Sequence, residues 1–571
     1  MMRALTCATV AAFVCAVSTV ETYADWQVWT VAETRRVLRR QPAEEGRWVN
    51  LAAARNEWEC FQVLMRSDEE VAGVRLLPAD LTGPDGAVLR ASDARLYRQH
   101  QLQLDVGTYR NAGFKPGWYP DPLIPARHPK TRLSLPAARF RAMPFDLPAD
   151  QTHGFLVDVF VPTGTPAGKY RGTYRLVDGD GRAKEVPVTL TVWDFDLPRV
   201  STLQTAFGSP ADRMRSYYQR RAMQGKERGL TDWTALHIRC ADLLSRHRIN
   251  ATPPAGTVRP EPMADGTFHI PQRQIRALQS FVDRYHVNAF QIPRPTTVVK
   301  DPDRQRDTLR AWLAAWDQAA AELDRPQVTF YMYLADEPNN EEAYRFVQKW
   351  GRAVREAKSV CKVMVTEQTW TRKGDAGADA AWGDLHGAVD IWCPLFSNFQ
   401  PESAAERRLA GDTIWAYTAL CQRQPTPWWQ IDWPLLHYRV PAWIAWRYRI
   451  RGLLYWGGMC YWDAVDDPWT DPKTFGRRDR DPRLVFNGEG TLVYPGRAVG
   501  YDGIAPSLRL KALRDAIEDY EYLAILERKG LAAKAEEALL PLVGSWFRWE
   551  RDPAKFEEVR QRLAEMIVRG Q

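Results

Sequence analysis

The sequence is poor in the features that announce a metal, redox or nucleotide protein. Its eight cysteines form no Cys-x-x-Cys pair, and its nine histidines are scattered, none at metal-ligand spacing with carboxylates. That pattern argues against zinc. There is no Gly-x-Ser-x-Gly motif and no glycine-rich phosphate loop, so serine-hydrolase and nucleotide chemistry lack their usual signals. Basic runs are missing too: a net charge of +7 stands against 77 basic and 70 acidic residues, which makes nucleic acid a poor partner. After the first residues, no stretch is apolar for long enough to span a membrane. Internal repeats and low-complexity tracts are absent. No cofactor or metal is expected; Asp463, Asp466, Asp467 and Asp471 read as an acidic surface loop, with Ca²⁺ as the alternative.

What is present begins with length. At 571 residues the chain exceeds a single core and predicts two or three domains. Residues 1–24 read as a signal peptide: Arg3, an apolar run over 4–20, and Thr22-Tyr23-Ala24 as the cleavage site before Asp25. The protein is therefore expected to be secreted or periplasmic. Cys7 and Cys15 leave with that segment, and neither follows the small residue a lipoprotein cysteine needs. Cys60, Cys240, Cys361, Cys393, Cys421 and Cys460 read mainly as buried thiols.

Residues 25–200 predict a β-sandwich, with strands at 28–31, 48–51, 61–65, 73–77, 94–97, 155–161, 168–176 and 186–192. The last two flank the turn Asp178-Gly179-Asp180-Gly181. Residues 107–148, rich in Pro, Gly and Arg, read as a long irregular stretch. From 201 to 465 strands alternate with helices, the pattern of a (β/α)8 barrel. Strands are expected at 203–207, 250–253, 289–293, 328–335, 362–366, 389–394, 413–418 and 453–456, with helices at 231–248, 272–286, 306–323, 341–359 and 440–451. Residues 466–571 give short strands, then helices at 506–528, 532–543 and 553–568, packed on the barrel.

The chemistry gathers at 330–338, Phe-Tyr-Met-Tyr-Leu-Ala-Asp-Glu-Pro. An unbroken apolar strand stops at two carboxylates and a proline, then opens into a helix at Asn339-Asn340-Glu341-Glu342. In barrels the carboxyl ends of strands carry catalytic groups. Twelve of the 24 tryptophans lie between Trp370 and Trp469; flat rings suit sugars, though they also fill cores. Paired acids with such rings suggest glycoside hydrolysis, which ordinarily needs two flanking carboxylates. The seventh strand, 413–418, carries no acid, and Asp432 comes far beyond it. Either Glu367, after the fifth strand, is the nucleophile, or a 2-acetamido sugar supplies its own carbonyl oxygen. A non-catalytic carbohydrate-binding protein is the remaining alternative. Glu367, Trp392, Tyr417 and Trp456 are the candidate substrate-binding residues.

Several runs carry a family resemblance: 54–62 (Ala-Arg-Asn-Glu-Trp-Glu-Cys-Phe-Gln), Tyr119-Pro120-Asp121-Pro122-Leu123, Trp193-Asp194-Phe195-Asp196-Leu197-Pro198, Asp336-Glu337-Pro338 and the helical block 508–523. Over nearly all the mature chain the sequence resembles glycoside hydrolase family 123, the β-N-acetylgalactosaminidases, and a larger related family of uncharacterised secreted proteins. The resemblance implies a β-sandwich, a (β/α)8 barrel and retention through the substrate's acetamido group. It casts Asp336 as the stabilising residue and Glu337 as the acid/base. The expected partner is a glycan with a terminal amino sugar.

Overall fold

A computed structural model describes residues 26–370, 382–420, 425–476, 481 and 484–570; the expected leader, 1–24, and Cys421 lie outside them. Ten strands build the N-terminal region: β1 (Gln27–Ala32), β2 (Val49–Arg55), β3 (Glu57–Arg66), β4 (Val71–Leu77), β5 (Arg95–Leu104), β6 (Gly117–Pro125), β7 (Phe145–Leu147), β8 (His153–Val161), β9 (Gly168–Val177) and β10 (Ala183–Asp196). They form two sheets, ordered β1-β3-β8-β5-β6 and β2-β10-β9-β4-β7, the second with two short strands off its path. Alternation sets what each strand buries. Phe61, Val63 and Met65 of β3 and Phe155, Val157 and Val159 of β8 meet Val186, Val188, Leu190 and Val192 of β10 in one shared core.

The stretch 107–148 departs from the irregular path expected of it. Its centre is strand β6, paired antiparallel to β5 from Leu104↔Gly117 to Tyr97↔Pro125. Pro120, Pro122 and Pro125 are tolerated because β6 is the edge of its sheet, where a missing N–H breaks no ladder.

The central region contains one parallel sheet of seven strands: β11 (Gln204–Ala206), β12 (Ala289–Ile292), β13 (Thr329–Ala335), β14 (Lys362–Val365), β15 (Ile391–Trp392), β16 (Thr413–Thr418) and β17 (Gly452–Tyr455). Their order, β11-β17-β16-β15-β14-β13-β12, curls into a nearly closed barrel. The strand expected at 250–253 is not there. A side-chain amide network occupies its place. The Asn250 backbone N–H donates to Thr205 Oγ1 (2.8 Å), and Asn250 Nδ2 donates to Thr205 O (2.9 Å) and to Asn288 Oδ1 (2.7 Å). Asn288 N returns a bond to Asn250 Oδ1 (3.0 Å), so the seam between β11 and β12 is closed by two asparagines instead of a ladder. Local hydrogen bonding of this kind competes with strand formation.

Inside the barrel sit Ala289, Tyr331, Met364, Ile391, Cys393, Trp415, Tyr417 and Leu454. Gly452 makes room for Trp415: a Cβ there would meet the indole at 2.4 Å. Helices α1 (Pro210–Met223), α2 (Trp233–Arg246), α3 (Gln272–Tyr285), α4 (Arg306–Leu323), α5 (Glu341–Glu356), α6 (Pro401–Leu409) and α7 (Leu436–Arg447) alternate with these strands. Most of the tryptophans between 370 and 469 are core residues; Trp392, Trp415, Trp428, Trp429, Trp443, Trp446, Trp462 and Trp469 are fully buried. The five described cysteines are buried and free.

Three more helices follow, α8 (Leu508–Arg528), α9 (Ala532–Leu539) and α10 (Pro553–Arg569). Helix α8 is buried at every residue from Leu508 to Ala524, acids and bases included. Its charges are paired across elements. Lys511 Nζ and Arg514 reach Asp158 of β8 at 2.6 and 2.7 Å. Arg509 Nε meets Asp121 of β6 at 2.9 Å. Asp519 accepts from Arg439 of α7 (2.6 and 3.0 Å) and from Trp443 Nε1 (2.8 Å), and pairs with Arg560 of α10 (3.0 Å). The helix therefore packs on the sandwich as well as on the barrel.

Removing one partner of a buried ion pair strands the other charge, at a cost of about 3–5 kcal/mol. Asp519→Ala removes one carboxylate shared by Arg439 and Arg560 but leaves Glu33 and Glu557 to the first and Glu57 and Glu59 to the second, so the urea midpoint should fall by less than a fully stranded charge would cost. Burial also pushes Glu33 and Glu518 up to about 8, whereas Asp158 is held low by Arg514 and Lys511 against its own burial. The first two hold protons more firmly folded than unfolded, so stability should fall as pH rises from the ordinary carboxylate range through 8. Asp158 gives the opposite limb, lost as pH falls below its unfolded pKa. Burial pushes His100, His153 and His437 down to about 4, 3 and 3, so their contribution is lost as pH falls below their unfolded value. Above about pH 6.5 the two glutamates therefore dominate; the melting temperature should fall toward pH 8, and a rise there would contradict this account.

Candidate active site

Along β13 the side chains alternate. Phe330, Met332 and Leu334 pack outward under the helices, while Tyr331 and Tyr333 face the barrel axis. The strand ends at Ala335, and Asp336 and Glu337 follow it, both exposed at the mouth, before Pro338. Asn340 then caps α5, its side chain accepting from Ala343 N at 2.9 Å. Glu337 is held at φ +43°, a left-handed conformation that costs a non-glycine residue energy and that gathers at functional sites.

Two hydroxyls and one backbone N–H hold this tip. Tyr333 OH donates to Asp336 Oδ1 at 2.5 Å, and Thr366 Oγ1 donates to the same oxygen at 3.1 Å. Thr366 Oγ1 also accepts from Glu337 N at 2.9 Å, so one side chain beyond β14 braces both acids. Among the described residues nothing bonds Asp336 Oδ2. Burial first, then the charge of Asp336, push the Tyr333 hydroxyl well above its ordinary value, so it stays protonated and remains a donor. Tyr417, facing inward from β16, donates its hydroxyl to Glu337 Oε1.

The other expected site residues fall in different places. Trp456 extends β17 on the barrel's inner side, in the cluster with Tyr333 and Tyr417. Trp392 does not line the site. It is buried in the layer between sheet and helices, and its Nε1 donates to Asp412 Oδ2 at 3.0 Å. Strand alternation is the reason: Ile391 and Cys393 take the inward positions on either side of it. Glu367 is buried beside α5, where its carboxylate and the Tyr344 hydroxyl are hydrogen-bonded. Its Oε1 accepts from Gln368 N at 3.1 Å.

Asp432 is a brace rather than a reactive group. It accepts from Thr108 N (2.7 Å), Thr108 Oγ1 (2.5 Å) and Asn111 Nδ2 (3.0 Å), tying the N-terminal region to the barrel mouth. The acids of 463–467 are engaged with bases: Asp463 with Arg213 and Arg220, Asp466 with Lys226, and Asp467 with Arg139. Among the described residues no group of three or more His, Cys, Asp or Glu is placed to hold a metal ion. A cleft of about 690 Å³ opens at the seam that lacks an eighth strand, lined in part by Asp212, Gln291 and Arg294 and not by Asp336 or Glu337.

Sequence reading passed over Tyr333 and Thr366. Tyr333 was legible in principle, since it shares the inward parity of Tyr331 and lies three residues before Asp336. Thr366 had no signal, because its neighbour across the sheet is set by register alone.

Residues 294–526 match the family model described as Glycoside hydrolase 123, catalytic domain. The whole fold is similar to a family 123 glycoside hydrolase from Clostridium perfringens, studied for glycolipid glycan hydrolysis. Identity is 12%, 95% of this chain and 97% of that one are covered, and the TM-score is 0.63. A family 39 glycoside hydrolase from Bacteroides cellulosilyticus WH2 is a far weaker match, 11% identical over 74% of this chain and 77% of that one, with a TM-score of 0.29. No curated protein matches the chain. The match to the glycoside hydrolase 123 catalytic domain, residues 294–526, spans β13 with its Asp336-Glu337 tip and the barrel strands after it.

Proposed function

We propose that this glycoside hydrolase is an exo-acting, retaining β-N-acetylgalactosaminidase in which the substrate's 2-acetamido oxygen is the nucleophile. One observation carries the reading. Asp336 has one oxygen fixed by the Tyr333 and Thr366 hydroxyls and the other open at the barrel mouth. A carboxylate held this way can accept the acetamido N–H and orient its carbonyl oxygen toward the anomeric carbon. As the C1–O bond forms, the leaving oxygen departs with a proton from Glu337, and positive charge spreads over the oxazolinium ring beside Asp336. Water, deprotonated by Glu337, then opens that ring and restores the sugar with its configuration retained.

The placement of the remaining acids supports the same division of labour. The inward residues of β16 are Trp415 and Tyr417, neither of them a carboxylate. Asp432 is saturated by Thr108 and Asn111, and Glu367 lies against α5. Glycolipid glycans, the substrates named for the Clostridium perfringens relative, are the first natural candidates. Export through residues 1–24 belongs to the proposal, and the mature protein recovered from the cell envelope or medium should begin at Asp25.

The test is a matched pair of aryl β-glycosides, N-acetylgalactosaminide and galactoside. Only the first should be turned over at a useful rate, and comparable rates on both would overturn the mechanism. Asp336→Asn keeps size and loses charge; preorganised electrostatic help of this kind is worth about 2.7–4 kcal/mol, so kcat should fall on the order of a hundredfold or more with KM little changed. Glu337→Gln should cost most with poor leaving groups, which need the proton, and least with dinitrophenyl glycosides, which do not. A 2-fluoro glycoside that labelled Glu367 would instead establish a conventional enzyme nucleophile.

A further inference from the structure

Glu489 is a buried carboxylate outside this mechanism, and it touches one of the rings at the barrel mouth. Its Oε1 accepts from Trp456 Nε1 at 2.6 Å, and its Oε2 accepts from Gln430 Nε2. The segment carrying it, Asn487-Gly488-Glu489-Gly490, is fixed on every side. Arg509 of α8 donates to Gly488 O (2.9 Å), Thr474 Oγ1 donates to Glu489 O (2.8 Å), and Gly490 N donates to Tyr455 OH (2.8 Å). Gly490 adopts φ +66° and packs so close that a Cβ there would lie 3.1 Å from the indole and 2.8 Å from Tyr461 Cβ. Tyr461 and Phe475 hold other sides of the ring, at centroid distances of 5.0 and 5.5 Å.

We propose that Glu489 is a positioning residue: its carboxylate locks the indole of Trp456 so that the ring forms a fixed wall for the sugar bound at Asp336 and Glu337. Trp456 is half-buried, in one cluster with the tyrosines that hold those two acids, so a sugar at the pair can meet its exposed part. An indole held only by apolar contacts could pivot. An acceptor 2.6 Å from its nitrogen removes that freedom. Burial pushes Glu489 up to about 7, the indole and amide donors holding it from rising further. No metal or second nucleophile is implied by so enclosed a carboxylate.

The proposal rests on the glycosidase reading of the pair but not on the acetamido step, and a double-mutant cycle keeps the two apart. KM and kcat are measured for Glu489→Ala, Trp456→Ala and both together, on whichever aryl glycoside of the matched pair is hydrolysed. Affinity for free N-acetylgalactosamine and galactose is measured by calorimetry in parallel. Glu489→Ala should raise KM about tenfold while kcat changes less, and should add no more than about twofold in the Trp456→Ala background. Glu489→Gln should restore near-native KM. Its carbonyl can accept from Trp456, and its amide can donate to Gln430 Oε1, which has no partner now. Equal effects of Glu489→Ala in both backgrounds would overturn the proposal, as would a Glu489→Gln variant no better than Glu489→Ala. If Glu489→Ala loses its cooperative melt, Trp456→Phe takes its place, keeping a flat ring but losing the N–H; a native KM there would overturn the proposal too. Failure of the acetamido reading would show separately, as equal rates on the two glycosides.

Discussion

The buried charges of α8 are the constraint from which the rest of the molecule takes its arrangement. A helix enclosed on all sides by other elements would ordinarily be apolar all round; this one carries Arg509, Lys511, Arg514, Asp515, Glu518, Asp519 and Glu521 into the interior. Each polar head loses water on burial, and most are met by a partner on a different element, while Asp515 pairs with Arg514 of the same helix. Lys511 and Arg514 demand Asp158 on the sandwich, and Asp519 demands Arg439 on the barrel. Such pairs add little net stability over an apolar interface. They do forbid every docking in which a charge goes unmatched, so the two sheet systems have one relative placement. That constraint reaches the site. Arg509 ties Asp121 on β6 to the carbonyl of Gly488, one residue before the carboxylate that holds Trp456.

The elements that local pattern dictates were legible in the sequence. The run 329–335 reads as a buried strand and is one, but it ends at Ala335, three residues before the proline expected to stop it. Helices with one apolar stripe, α3 and α5 among them, fall where periodicity places them. What failed were features decided by neighbours distant in sequence. Residues 250–253 look like a short strand, but Asn250 and Asn288 bond each other and the backbone of β11 instead. The prolines of β6 look like a loop until the strand is known to be an edge. In α8 an apolar stripe was visible and the ion pairs were not, since their partners lie up to several hundred residues away.

The same division holds at the site. Asp336 and Glu337 were visible because a strand and a proline frame them. Which aromatic rings join them depends on the parity of each strand, and one residue decides it: Tyr417 points in, and Trp392 points out to Asp412. Tryptophan density itself misleads, because rings large enough to stack on a sugar are also the best fillers of a wide barrel. Trp415 occupies the axis only because Gly452 has no side chain.

The geometry at Asp336 also bears on why adjacent acids on one strand can do different work. A bulge between Tyr333 and Ala335 puts Ala335 in the helix layer and turns Asp336 inward, so that continued alternation would send Glu337 into the helix layer. Glu337 escapes that alternation by its positive φ, and the Thr366 hydroxyl holds its backbone N–H in place. With the strand broken there, both carboxylates stay exposed at the mouth, one braced by Tyr333 and the other by Tyr417. The strained backbone therefore keeps two carboxylates together at one end of the barrel, and the division of labour proposed for them depends on that placement.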